Sequence, residues 1–168
     1  MSGTKELRIR IKSIKNTSKV TKAMEMVSAA KMRRSQDQAT KGRHYSTLMN
    51  NVLQNISTKI DLTSHPLLSR EKNEKQAILL VTTNRGLCGS LNSNLFKKSL
   101  GITGNVSFIT VGKKGQVFVS RQAKPIAADF ELLDKPTLEF ARTIARFLTK
   151  AFLNNEFDRI HVIYTQFH

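Results

Sequence analysis

The chain has 168 residues, 39% of them hydrophobic, and a formal net charge of +16 at pH 7. This length suits one domain or a small domain with an extension, and the apolar fraction excludes global disorder. The charge predicts attraction to something acidic: nucleic acid, anionic lipid or an acidic protein surface.

The excess is uneven. Residues 1–60 carry 13 Lys/Arg against Glu6, Glu25 and Asp37, a net +10, whereas residues 61–168 carry a net +6. The single cysteine, Cys88, excludes an intramolecular disulfide framework and fits a reducing compartment. No apolar run approaches the roughly 20 residues needed to span a bilayer. The start, MSGTKELRIRIKSIK, lacks the apolar core of a secretory signal, and Ser2 rules out myristoylation at that position. It is basic and amphipathic like an organellar presequence, but no small-residue cleavage site interrupts the pattern.

Residues 1–60 read as one long basic helix. From Lys5 to Ile60 there is no proline and a single glycine, Gly42. Apolar residues recur at helical spacing: Leu7, Ile11, Ile14, Val20, Ala23, Val27 and Ala30, then Leu48, Val52, Ile56 and Ile60. A helix of about 55 residues is about 80 Å long, wider than any domain this chain can build. Length and polarity together predict one strand of a coiled coil. Its seam is narrow, with Ala23, Ala29, Ala30, Ser18 and Ser28 as small residues, so it lacks the leucine-rich register of a stable zipper. Such a helix needs a second helix along it.

Residues 61–76, around Pro66, form a polar linker, and the periodicity then changes. AILLVTT (77–83) is the continuous apolar run of a strand buried on both faces. NRGLCGS (84–90) is a glycine-bearing turn, followed by a helix over 91–100. A second strand over 106–112 precedes a short helix over 113–122. Residues 136–155 form an amphipathic helix with Leu138, Ala141, Ile144, Ala145, Leu148 and Phe152 on one side. The third strand covers 158–168. Strand–helix alternation gives an α/β class: a long N-terminal helix followed by a Rossmann-like parallel-sheet domain over 77–168.

Little in this pattern speaks for chemistry. NRGLCGS lies where phosphate-binding turns occur, yet Gly86 and Gly89 do not fit GxGxxG, and VGKKG (111–115) fails the Walker pattern at Lys114. Cys88 has no histidine placed to activate it, and His44, His65, His161 and His168 have no metal-ligand spacing. No catalytic residue, metal or cofactor is expected. The basic helix permits nucleic-acid binding as an alternative function. Against it, positions 1–44 hold no aromatic residue to stack on bases. A nucleotide- or thiol-dependent enzyme using 84–90 is the third reading.

IKSIKNTSKVTKAMEMVSAAKMRRSQ (11–36) and NRGLCGSLNSNL (84–95), in that order and spacing, resemble the gamma-subunit family of rotary ATP synthase over the whole chain. The resemblance implies that the N-terminal helix pairs with a C-terminal helix as an antiparallel coiled coil. This coil is the rotor shaft inside a ring of alternating alpha and beta subunits. The α/β domain forms a foot on the epsilon subunit and the membrane rotor ring (the c-ring). By matching position, Met24 and its neighbours Lys22, Lys31, Arg33 and Arg34 meet the acidic levers of beta. Arg8, Arg10 and Lys12 lie deep in the head, and the turn Arg85, Gly86, Leu87, Cys88 and Gly89 lies in the foot.

The implied role couples proton-driven rotation to ATP synthesis or hydrolysis at beta. It involves no nucleic acid and places the chain on the cytoplasmic side of a bacterial inner membrane, attached through the complex. Two departures stand out. Asn84 occupies the place of the family's usual aspartate, which removes a carboxylate and any ion pair made there. His168 falls where the family continues into more of the α/β domain and the second helix, so the chain reads as a fragment.

Overall fold

The computed structural model describes residues 2–59, 65–67 and 74–167. Most of the expected linker, and Ile60 of the expected seam, lie outside the described residues. The chain divides into two compact units, one made almost wholly of residues 1–58 and the other of 59–166.

The first unit is a single helix, α1 (Ser2–Ser57), of 56 residues. No proline interrupts it, and its one interior glycine, Gly42, keeps helical geometry with open space around it. Threonine and serine side chains satisfy themselves within the helix. Thr17 Oγ1 donates to the Ser13 carbonyl at 3.0 Å, and Thr21 Oγ1 to the Thr17 carbonyl at 2.9 Å. Every described side chain of α1 is exposed except Gln36, which is half-buried.

The second unit is a four-stranded, wholly parallel sheet in the order β3-β2-β1-β4. Its elements are β1 (Lys75–Val81), α2 (Leu91–Leu100), β2 (Asn105–Val111), α3 (Lys113–Arg121), β3 (Ile126–Phe130), α4 (Leu138–Leu153) and β4 (Arg159–Ile163). Four consecutive residues of β1, Ala77 to Leu80, are buried, as a strand covered on both faces requires. Alternation sends Ala77 and Leu79 to the α4 side, with Ile109, Val111, Phe147 and Leu148. It sends Ile78 and Leu80 to the side of α2 and α3, with Leu95, Phe108 and Val119. The Phe96 and Phe118 rings stack at 3.9 Å to join those two helices, and Phe130 meets Phe147 edge-on at 5.7 Å on the other face.

Three expectations need correction. The sheet has a fourth strand, β3, that the sequence does not announce. Its five residues IAADF alternate half-buried and exposed, and its pairing with β2 shifts register between Phe108 and Ile109. The last strand ends at Ile163, not His168, because β4 pairs with β1 only as far as Leu80↔Ile163. The packed side of α4 is built from Phe140, Ile144, Phe147, Leu148 and Ala151, whereas Leu138, Ala141 and Ala145 are exposed.

Candidate functional site

Two regions gather the residues singled out by sequence: the surface of α1 and the carboxyl edge of the sheet. On α1, Arg8, Arg10, Lys12, Lys22, Met24, Lys31, Arg33 and Arg34 are all exposed. At about 100° per residue they do not share one face. Arg8, Lys22 and Arg33 fall within a sector of about 40°, while Met24 and Lys31 lie roughly opposite. Positive charge therefore runs around the rod. A single flat partner reaches only part of this set, whereas a partner that encircles the helix reaches all of it.

The apolar seam is also resolved by this geometry. Val20, Ala23, Val27 and Ala30 occupy a sector of about 80°, and Leu48, Val52 and Ile56 return to it. Leu7, Ile11 and Ile14 lie about half a turn away, so the expected seam is not continuous to the start of the helix. Val20, Val27 and Val52 are each at least half exposed. Large apolar side chains left in water along several turns mark a surface meant for protein contact.

At the sheet's carboxyl edge, three consecutive residues after β1 cap the N-terminus of α3. The first N–H groups of a helix have no intrahelical acceptor. Here Lys113 N–H donates to Asn84 Oδ1 at 3.1 Å, Lys114 N–H to the Thr83 carbonyl at 3.1 Å, and Gly115 N–H to Thr82 Oγ1 at 2.8 Å. Thr82 is buried and donates its hydroxyl proton toward the Val111 and Gly112 carbonyls. Asn84 also reaches the loop after β3, its amide donating to the Leu132 carbonyl at 2.7 Å. The donors that hold phosphate in nucleotide-binding turns are thus already engaged by protein at VGKKG.

The turn Arg85, Gly86, Leu87, Cys88 and Gly89 is held beside this cap. Thr83 Oγ1 donates to the Arg85 carbonyl at 2.6 Å. Buried Asn92, on α2, donates to Thr83 Oγ1 at 2.8 Å and to Cys88 Sγ at 3.3 Å, and accepts the Thr83 N–H. Leu87 and Gly89 both take left-handed backbone angles, φ 61° and 59°. The Leu87 side chain is consequently lifted fully into solvent, whereas Cys88 is half-buried in a polar setting. His161, placed in a strand by sequence, sits in β4 with Nε2 3.0 Å from Gln76 Oε1.

Sequence reasoning found Arg85–Gly89 and the change at Asn84 but missed the roles of Thr82, Thr83 and Asn92, which help fix that turn and its neighbouring cap. At 82–84 the signal was a Thr-Thr-Asn run at the end of an apolar strand, and Asn92 carried none. The expected loss at Asn84 also needs restating. The asparagine amide makes a donor contact to Leu132 that no ionised carboxylate can make.

A family profile described as ATP synthase matches residues 3–168. The chain is 36% identical over 167 residues to the ATP synthase gamma chain of Opitutus terrae, covering 99% of this chain and 57% of that protein. It is 38% identical over 179 residues to the ATP synthase gamma chain of Chlorobaculum tepidum, covering 99% and 61% respectively. Among solved structures, it is similar to a chain of the Euglena gracilis mitochondrial ATP synthase rotor. That match has a TM-score of 0.49 and 23% identity, over 66% of this chain and 39% of the other. The chain spans about three-fifths of the length of the curated relatives it matches.

Proposed function

Because this chain belongs to the ATP synthase gamma-chain family, we propose that it supplies the central stalk of an F-type ATP synthase. The observation that carries this reading is α1 itself: a 56-residue helix with an uncovered apolar seam. The seam takes a companion helix from outside these 168 residues, as one strand of an antiparallel coiled coil. Residues 1–60 form the shaft and 77–168 the foot, with 61–76 between them, of which Lys75 and Gln76 already belong to β1.

Charge distributed around the rod supports an encircling alpha–beta ring. Lys22 and Arg33 meet one lever of beta while Met24 and Lys31 face the opposite side. Arg8, Arg10 and Lys12 engage the head. Each shaft orientation then has a different affinity for the open and closed forms of beta, which is the condition for shifting that equilibrium. The chain performs no bond chemistry; ATP is made or hydrolysed at beta as the proton-driven ring turns the shaft.

The foot, with its turn Arg85–Gly89 exposed except at half-buried Cys88, contacts the epsilon subunit and the c-ring. No helix among the described residues is long and apolar enough to cross a membrane. Attachment is through the complex, at the cytoplasmic side of a bacterial inner membrane. Nothing in the comparisons supports the nucleic-acid alternative.

Co-assembly tests the proposal. The full chain, expressed with alpha and beta subunits of its source, is expected to enter their ring. Replacing Arg8, Arg10 and Lys12 with glutamine is expected to weaken that entry at least tenfold. A chain that stays outside the ring and instead binds duplex DNA with steep salt dependence defeats it.

A further inference from the structure

The outer face of α4 has no role in the packing of the sheet. Arg142, Arg146 and Lys150 stand four residues apart, about 6 Å between successive side chains along the axis, and all three are exposed. The only acidic residue of the helix is Glu139, in its first turn. No described carboxylate pairs with any of the three basic groups. Like charges at four-residue spacing repel and weaken a helix, offset here only at Lys150, which stands in the last turn where a cation suits the helix dipole. Between and beside these charges runs a shallow groove lined by Ala145, Thr149 and Leu153. Leu153, at one end of the groove, is 49% exposed, and Leu138, at the start of the same helix face, is 67% exposed.

We propose that this face is a docking surface for an acidic helix of another protein chain. Small Ala145 and Thr149 at the centre allow close approach of a helical backbone, and the steps 142, 145, 149 and 153 follow one face. The basic row matches carboxylates repeated at four-residue spacing on the incoming helix. The arginines can grip them bidentately. Leu138 and Leu153 receive apolar residues at either end. An anionic lipid surface fits less well, because a membrane-seated helix buries bulky side chains along its centre, where this one has alanine and threonine. The inference does not depend on the rotor-shaft reading, since it rests on the second unit alone.

The test places a benzophenone-bearing residue at Thr149 of the full chain in cells of its source, followed by irradiation and mass-spectrometric mapping of the adduct. The expected adduct falls in one segment of one partner, with helical periodicity and carboxylates four residues apart. Neutralising the row as Arg142→Gln, Arg146→Gln and Lys150→Gln is expected to lower its yield at least tenfold. Each single change lowers it several-fold. Lys97→Gln with Lys98→Gln, on α2 across the sheet, leaves it unchanged. Adducts on lipid or nucleic acid, adducts scattered over unrelated proteins, no adduct, or a yield indifferent to the row each overturn the proposal. Unchanged circular dichroism of the variants assigns a lost adduct to the surface, and the single variants serve if the triple one unfolds.

Discussion

The side-chain amide of Asn84 donates to the Leu132 carbonyl at 2.7 Å, tying the turn after β1 to the loop after β3. The same side chain accepts the Lys113 N–H, so one residue bridges three successive crossovers. Asn84→Ala removes both bonds and is expected to cost about 1–2 kcal/mol. Asn84→Asp loses the donor to Leu132, whose carbonyl repels a carboxylate oxygen, but keeps the acceptor for the Lys113 N–H and gains about 0.3–1 kcal/mol from negative charge at the α3 N-terminus. Its cost is therefore smaller than that of alanine. Urea denaturation of the two variants, with unchanged slopes, checks the order; an alanine variant as stable as the parent refutes the clamp.

Gly112 is the backbone counterpart of that clamp. Its φ is 96°, and a Cβ there collides with the Thr82 carbonyl oxygen. Both strain and contact oppose a side chain, because the strand-to-helix turn brings two backbones together. Gly112→Ala is expected to destabilise the α/β unit by more than about 2 kcal/mol. Thermal melting of the purified variant reads this directly, and a parental melting temperature counts against the geometry.

Gly42 is the converse case. It lies inside α1 with nothing within 4 Å of a added Cβ. Gly42→Ala is expected to strengthen the surrounding helix by about 0.5–1 kcal/mol. Amide hydrogen exchange near residue 42 should slow by about two- to five-fold as a result. Exchange that is unchanged or faster counts against this.

The parts of this fold that were legible in sequence are those with strong local signals. Continuous burial made β1 readable, and proline-free helical spacing made α1 readable. The strand β3 escaped because IAADF is short, carries an aspartate and lies at a sheet edge, where half of each alternation is exposed. The packed face of α4 was misjudged because alanine fits either side of a helix; Ala151 is buried and Ala145 is not. At the candidate site the charges of α1 were evident, but their spread around the rod follows only from helical geometry. The capping residues Thr82, Thr83 and Asn84 resemble ordinary turn formers. What they cap lies about thirty residues away along the chain, beyond the reach of local patterns.

Val27 separates the coiled-coil reading from a merely solvated helix. It is 58% exposed in this chain, so Val27→Lys should leave the helicity of the isolated protein unchanged. If a companion helix lies on the seam, the new ammonium is forced into that contact or expels it, at a cost of several kcal/mol. Ala29, about 200° away around the helix, provides the control. If the chain serves as the proposed central stalk, Val27→Lys is expected to reduce incorporation into the alpha–beta complex at least tenfold, equivalent to about 1.4 kcal/mol or more. Ala29→Lys should reduce it much less. The decisive comparison is the yield of intact complex from the two variants at matched expression. Equal yields would mean that no helix occupies the Val20–Ala30 seam, and the shaft would then need another source of rigidity.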